Sequence, residues 1–469
     1  MVRRDMDDQM FGNWAEEMFG GAVLGDPRRT TRLISMAAAA ARNPAGKVTQ
    51  VFQSSAEREG AFRLLENDAV PSSRVSEAVF DAAAAHCAEQ TVVFVALDAT
   101  TLSLTDRKSR RQLGRVGPRF PTRGLHVMSA LAVDRQGAAI GLIEQCWWAR
   151  TGKVRAKRKR SYDCRYQEKE TRYWVDTLRS SHHRMREAAP TCRAWYQLDR
   201  GADCWPVLRF ATEHKLLITV RSAYPRRLRA ADGRRQYLRE ELKKCPILGE
   251  YTIKVPARPN RPARIARIAV RARPVTIDAR VTVGNRRHLM PFNAVSAQEI
   301  GYRGKDRINW ILLTTAPAAS FAEAREVVAG YASRWMVEEF HRTWKRGLCR
   351  VEDNQLQSRS AIVKWATILA AVAVRSLRLA KLIRTSPDIP ASEEFTEYEI
   401  DAAFILLKKK RDRRRSLTLY EVLELVADIG GFTHKYDKAH PLPGPTVIGR
   451  GLERVRILAL GLENMADLR

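Results

Sequence analysis

Apolar residues recur three and four apart from residue 1 to about residue 88, a period that predicts helices joined by short turns. Asp26 followed by Pro27 reads as an N-cap with proline at the first helical position, and Gly60 to Leu65 continues as another amphipathic helix. From Thr91 the pattern changes. Thr91 to Leu97 is short, apolar and β-branched, as in a buried strand, and Thr101 to Leu104 alternates like its hairpin continuation. Leu125 to Val133 and Ala138 to Trp147 predict two more strands around an Asp134–Gly137 turn. A helix over about 166–187, a strand ending before Asp199 and another over Leu216 to Arg221 follow. Antiparallel strands followed by alternating helix and strand describe a mixed α/β (α+β) sheet.

Residues 225–305 break that scheme. In Arg267 to Arg273 arginines alternate with Ile268, Val270 and Ala272, a period of two that fits a strand half exposed to something anionic. Pro256, Pro259, Pro262 and Pro274 favour edge strands and turns over helix, so the segment reads as a β-rich insertion. Trp310 to Thr315 returns as a strand, and Ala322 to Arg346 as one long helix. Helices are expected again over Ala361–Lys381, Tyr398–Leu407 and Leu419–Asp428, with a last short helix after the loop residues Pro441 to Pro445. The expected division is a helical unit over 1–75, a catalytic unit over 76–375 and a helical unit over 376–469.

Charge adds a partner class to this outline. The chain carries 82 Lys and Arg against 52 Asp and Glu, a formal charge of +30. Such a surplus favours a polyanion, because every phosphate neutralised releases condensed counterions. Two basic runs, Arg150 to Arg160 and Lys408 to Arg415, read as exposed loops. No run of about 18 apolar residues is evident, and the first eight residues lack the apolar core of a secretory signal, so a cytoplasmic, nucleoid-associated protein without a membrane partner is expected. The seven cysteines show no C-x-x-C pairing, which argues against structural zinc or a disulfide framework and for reduced thiols.

Three carboxylates stand in settings that carry chemistry. Asp98 closes the Thr91–Leu97 strand, Asp199 follows the strand Ala194 to Leu198 and opens Asp199-Arg-Gly-Ala-Asp203, and Glu338 lies in the long helix. Two strand-end aspartates and a helical glutamate are what a fold needs to hold two divalent cations against a phosphodiester. Tyr331, Arg334, Glu338, Arg342 and Lys345 are spaced 3, 4, 4 and 3 apart and share one helical face. On that face Glu338 either meets a metal, with its basic neighbours gripping phosphates, or simply pairs with Arg334 and Arg342. Arg28, Arg29 and Arg32, in the first turns after Asp26, are either an ordinary solvated helix start or a DNA contact. By pattern alone Trp310 is a core aromatic.

The signature Y-(2)-R-(3)-E-(6)-K is met by Tyr331, Arg334, Glu338 and Lys345. Together with Asp199 to Asp203, Asp98 to Ser103, Leu24 to Thr30, Glu59 to Arg63, Gln145 to Trp148, Trp310 to Thr314 and Gly430 to Phe432, it makes the chain resemble the DDE transposases of bacterial insertion sequences that carry a Tyr-Arg-Glu-Lys signature. Ala99 stands after the first aspartate where a similar member of that family has a threonine. The resemblance implies an RNase H-like core with a β insertion, flanked by helical N- and C-terminal domains. It implies two Mg²⁺ ions per active site (Mn²⁺ substituting) on Asp98, Asp199 and Glu338. The partners it implies are double-stranded DNA, as transposon ends and target, and a second copy of the chain in a synaptic homodimer. It also implies a hairpin intermediate, with Trp310 stacking on an extruded base, Tyr331, Arg334 and Lys345 on its phosphate, and Arg221 on DNA. Arg342 is expected among the phosphate-gripping residues of the same face. A catalytically silent DNA-binding relative and a metal-dependent nuclease without strand transfer are the alternatives.

Overall fold

The computed structural model describes residues 2–106, 111–117, 122–150, 169–229, 234–255, 262–280, 287–432 and 443–467. Five helices come first: α1 (Val2–Phe19), α2 (Pro27–Arg42), α3 (Val48–Val51), α4 (Ser55–Leu65) and α5 (Ser72–His86). Their starts follow local chemistry. The Asp26 carboxylate accepts from the Arg28 amide at 2.9 Å, and Ser54 and Glu57 form a reciprocal cap on α4.

The core sheet is built from β1 (Val92–Leu104), β2 (Gly114–Arg115), β3 (Arg123–Val133), β4 (Ala139–Trp148), β5 (Arg193–Leu198) and β6 (Leu217–Arg221), with α6 (Arg172–Ala188) and α7 (Trp205–Glu213) between the later strands. The order β4-β3-β1-β5-β6 has β1 antiparallel to β3 and parallel to β5, and β5 parallel to β6. That is the RNase H-like arrangement expected. One expectation is corrected: Thr101 to Leu104 is not a hairpin return, because β1 is one unbroken strand of 13 residues that pairs with β3 from Phe94 to Leu104. Asp98 therefore sits inside a strand. What ends there is only the pairing to β5.

The insertion comprises β7 (Arg227–Arg229), β8 (Arg235–Tyr237), α8 (Leu238–Lys244), β9 (Gly249–Val255), β10 (Arg264–Arg280) and β11 (Arg287–Ile300), and β12 (Asn309–Thr314) joins it to β6. Core and insertion thus share one continuous sheet. Pro274 lies mid-strand in β10, where the outer edge is unpaired between the last β9 pairing at Val270 and the β7 pairing at Ile277. The β10 arginines have protein partners: Arg267, though exposed, pairs with Glu250 at 3.0 Å, Arg273 pairs with Glu241 at 2.7 Å, and Arg271 donates to the Cys245 carbonyl. Pro256, Pro259 and residues 151–160 of the first basic run lie outside the described residues.

The expected long helix is two, α9 (Phe321–Ser333) and α10 (Trp335–Lys345). No proline or glycine stands between Tyr331 and Glu338. The ladder instead tightens to three-residue spacing, with Arg334 N–H donating to Tyr331 C=O and Val337 N–H to Arg334 C=O. Next come α11 (Arg359–Thr385), α12 (Glu397–Leu406), α13 (Leu419–Ile429) and α14 (Pro445–Asp467), the last 23 residues long rather than short. Contrary to expectation, α11 is long and apolar enough to cross a membrane by length and composition, but 89% of that window is buried inside the fold. The second basic run is also not a free loop. Arg411 pairs with Glu397 and Asp401, Arg413 with Asp401 and Arg415 with Glu421. The six described cysteines are free thiols.

Gly330 lets α9 lie directly on the sheet. A Cβ there would come 2.7 Å from the Phe94 ring and 3.0 Å from the Gln197 amide nitrogen. Gly330→Ala should therefore cost about 1–3 kcal/mol, as overpacking does. Denaturant titration of the variant checks this, and an unchanged midpoint would mean that α9 does not rest on β1 and β5 at this point.

Candidate active site

Parallel pairing of β1 with β5 ends at Leu97 opposite Leu198. The next residue on each strand is an aspartate, so Asp98 and Asp199 emerge side by side where the two strands part. Asp98 remains held from behind by β3, opposite Ser129. Asp199 caps a 3-10 turn over Arg200–Ala202, its Oδ1 accepting from Gly201 N–H at 2.6 Å. Asp203, four residues on, has a different task. It is fully buried, pairs with Arg226 and accepts from the Ala223 amide, and so anchors the segment after β6.

The third carboxylate reaches the same place from the helix. Arg334, at the α9–α10 junction, donates from Nη1 to Asp98 Oδ2 at 3.2 Å and from Nη2 to Glu338 Oε1 at 2.5 Å. One guanidinium thus bridges a strand aspartate and the helical glutamate, while its buried Nε has no partner. Glu338 pairs with Arg334 but not with Arg342, which turns to Glu339 at 2.7 Å. Burial raises the Asp98 carboxyl to about 6; Arg334 pulls it back, and Asp199 and Glu338 push it further up. Burial lowers the Arg334 pKa, but Tyr331, Asp98 and Glu338 outweigh this and hold its charge more firmly than usual.

Around the carboxylates lies a chain of rings and cations. Trp310 meets the Tyr331 ring edge-on at 5.1 Å, Arg221 lies 6.0 Å over Trp310, and Arg334 lies 5.8 Å over Tyr331. Trp310 is half-buried on β12 and Tyr331 is buried. Lys345 donates to Thr100 Oγ1 at 3.2 Å and sits 3.7 Å from Glu352. Glu352 was not foreseen. It follows α10 on a short turn, accepts from the Ser103 amide at 2.8 Å and ties the far half of β1 to Lys345 and Arg346. Its only sequence signal is being seven residues beyond Lys345. Of the expected residues, Asp98, Asp199, Glu338, Arg334, Tyr331, Trp310, Arg221 and Lys345 form one continuous neighbourhood. Arg342 faces aside. Arg28, Arg29 and Arg32 lie on α2, which packs on α1, α4 and α11; there Arg29 donates to the Leu24 carbonyl, and Arg28 and Arg32 are exposed.

Among the described residues, no group of three His, Cys, Asp or Glu side chains is set to hold a metal as it stands. The donor chemistry nevertheless fits a hard cation. The Asp98 carboxyl is raised first by burial and further by the charges of Asp199 and Glu338, and a guanidinium occupies the gap between Asp98 and Glu338.

Residues 12–70 match the family model described as transposase DNA-binding, and residues 156–375 match the transposase DDE domain. The first segment contains Arg28, Arg29 and Arg32; the second contains Asp199 and Glu338, and Asp98 lies outside both. Among solved structures, the piggyBac transposase synaptic complex with hairpin DNA matches at 10% identity over 84% of this chain and 79% of that chain, with a TM-score of 0.37. A likeness that loose carries no argument.

Asp98 binds its proton more tightly in the folded chain than in the unfolded one, so its ionisation opposes folding as pH rises from about 4 through about 6. Asp98→Asn should then stabilise the cation-free protein at pH 8 by on the order of 2 kcal/mol, with the gain vanishing near pH 4. Thermal melts in EDTA across that range test it. A gain independent of pH would remove the buried-carboxylate account.

Proposed function

We propose that this chain, whose transposase DNA-binding domain at 12–70 precedes a transposase DDE domain at 156–375, is a DNA transposase. On this reading it binds terminal inverted repeats, excises its element through hairpin ends and joins the 3′ ends to target DNA. The observation that carries it is the meeting of Asp98, Asp199 and Glu338 at one end of an RNase H-like sheet. On this reading the chain resembles the cut-and-paste transposase of the kanamycin-resistance composite transposon.

Asp98, Asp199 and Glu338 would hold two Mg²⁺ ions, or Mn²⁺ in their place, which supply Lewis-acid polarisation of the phosphodiester and of the attacking oxygen. The other side chains act on the DNA. Arg334 has two fates: without DNA it neutralises Asp98 and Glu338, and with DNA its fork turns to a phosphate. Tyr331 and Lys345 flank that phosphate. Lys345 is already aimed at the site by Thr100 and Glu352. Arg342, exposed and paired with Glu339, would turn from that carboxylate to reach the duplex. For the hairpin to close, one base must leave the stack. Trp310, half-buried with Arg221 behind it, offers the face on which that base stacks, an interaction worth about 1–3 kcal/mol. Arg28, Arg29 and Arg32 would grip the transposon end. The C-terminal helices beyond residue 376 would pair two copies into a synaptic homodimer, in the cytoplasm with the nucleoid.

Asp98→Ala, Asp199→Ala and Glu338→Ala should each lower Mg²⁺-dependent cleavage of the inverted repeats by at least a thousandfold, on the scale of losing an essential catalytic group. End binding should stay within about threefold of wild type in gel shift, a difference below 1 kcal/mol. Loss of binding in all three would show a structural role. In the wild type, nicked DNA without joining would make the protein a nuclease, and a shift without any product would make it a silent binder. Trp310→Ala should leave the first nick and reduce hairpins about tenfold or more, in line with one stacked base. A normal hairpin yield sinks the stacking role.

A further inference from the structure

A second concave site lies at the opposite end of the catalytic sheet. A cleft of about 1120 Å³ opens between the starts of β5 and β6 and the strands of the insertion. Arg193, at the start of β5, lines it, whereas Asp199 follows that strand's end, so roughly 20 Å of extended chain separates the two sites at about 3.3 Å per residue. The cleft is therefore not part of the carboxylate site.

Its lining is one-sided in charge. Arg186, Arg193 and Lys215 stand on the core wall and Arg229 on the insertion wall, and no Asp or Glu lines the space. None of these four makes an ion pair among the described residues, whereas Arg273, which also lines the cleft, is held by Glu241, and Arg264, Arg267, Arg411, Arg413 and Arg415 elsewhere are likewise paired. Like charges facing each other across a cleft repel unless an anion lies between them. A surface patch would suit any polyanion, but here the floor is apolar: Leu216, Leu228, Val275 and Phe292 are buried, with Gln236 and Thr276 beside them as neutral hydrogen-bonding groups. An apolar slot with a few neutral polar groups, rimmed by cations on both walls, fits a flat polar ring that carries phosphate.

We propose that this cleft binds a nucleotide, its base on the apolar floor and its phosphates between Arg186, Arg193, Lys215 and Arg229. The nucleotide is either free or the unpaired end of a DNA strand. The space exceeds a single base and sugar, which leaves room for a phosphate chain or a neighbouring nucleotide.

Isothermal titration of the full-length protein in EDTA, with dATP, a ten-base single strand and inorganic phosphate as separate probes, tests this. EDTA keeps cation-mediated binding at the carboxylates out of the measurement. The expected result is saturable one-to-one binding of dATP or of the single strand at about 0.1 mM or tighter. Affinity should fall at least tenfold in Arg193→Glu/Lys215→Glu, and likewise in Arg186→Glu/Arg229→Glu. It should be unchanged in Asp199→Ala. All four reversed residues are exposed, and a thermal melt of each variant checks its fold. Tighter binding of dATP identifies a free nucleotide; tighter binding of the strand identifies a DNA end. Absence of saturation, affinity untouched by both reversal pairs, or phosphate binding as tightly as dATP would overturn the proposal.

Discussion

Two parallel strands that part at the same level leave a pair of carboxylates in adjacent positions, and a helix adds a third. Three like charges in a partly dry site repel, and the chain meets that constraint with Arg334. A planar fork suits the task better than an ammonium, because it reaches two carboxylates at once in fixed geometry. Much of the surrounding structure follows from getting that fork into place. The ladder tightens between α9 and α10 where Arg334 turns toward the sheet, Gly330 lets α9 touch β1 and β5, and the Tyr331 ring lies under the guanidinium. The same guanidinium marks where positive charge is wanted, which is why a hard cation and a phosphate are the two natural substitutes for it.

The net charge of +30 is not spread evenly as usable charge. Within the insertion, Arg264 is committed to Glu299 and Asp306, Arg267 to Glu250 and Arg273 to Glu241. In the C-terminal helices Arg411, Arg413 and Arg415 are committed to carboxylates on α12 and α13. These pairs stitch elements together and withdraw their cations from a polyanion. What remains for DNA or nucleotides is a smaller and more localised set: cations without internal partners, and those such as Arg334 and Lys345 whose partners belong to the site itself.

The core strands were legible because burial on both faces leaves continuous apolar runs such as Val93 to Leu97, and Asp98 was legible as the first polar residue after that run, whereas Asp199 follows a strand that already carries the buried Gln197. The Arg334 junction was not. Nothing in Tyr331 to Glu338 breaks a helix locally, and the cause is a contact with Asp98, 236 residues earlier in the chain. The continuation of β1 past Asp98 was hidden for the same reason: its second half is held by β3 and by Glu352, neither of which leaves a periodic trace nearby. Local sequence likewise cannot distinguish a solvated basic loop from one whose acidic partners lie a helix away, as at Lys408 to Arg415. The apolar run in α11 is explained by burial on all sides at the junction of α2, α4, α5 and α10.

The insertion is rooted in the core through β12, whose residues Asn309 to Thr314 pair in unbroken register with β11, with Trp310 opposite Ala297. Side chains alternate across a sheet with a period of two. Adding or deleting one residue at this root would turn Trp310 to the opposite face and carry it away from Tyr331, whereas length changes at the far tip between β10 and β11 leave it in place. The two ends of the hairpin should therefore diverge by different rules: free variation in length at the tip, and parity-preserving change at the root.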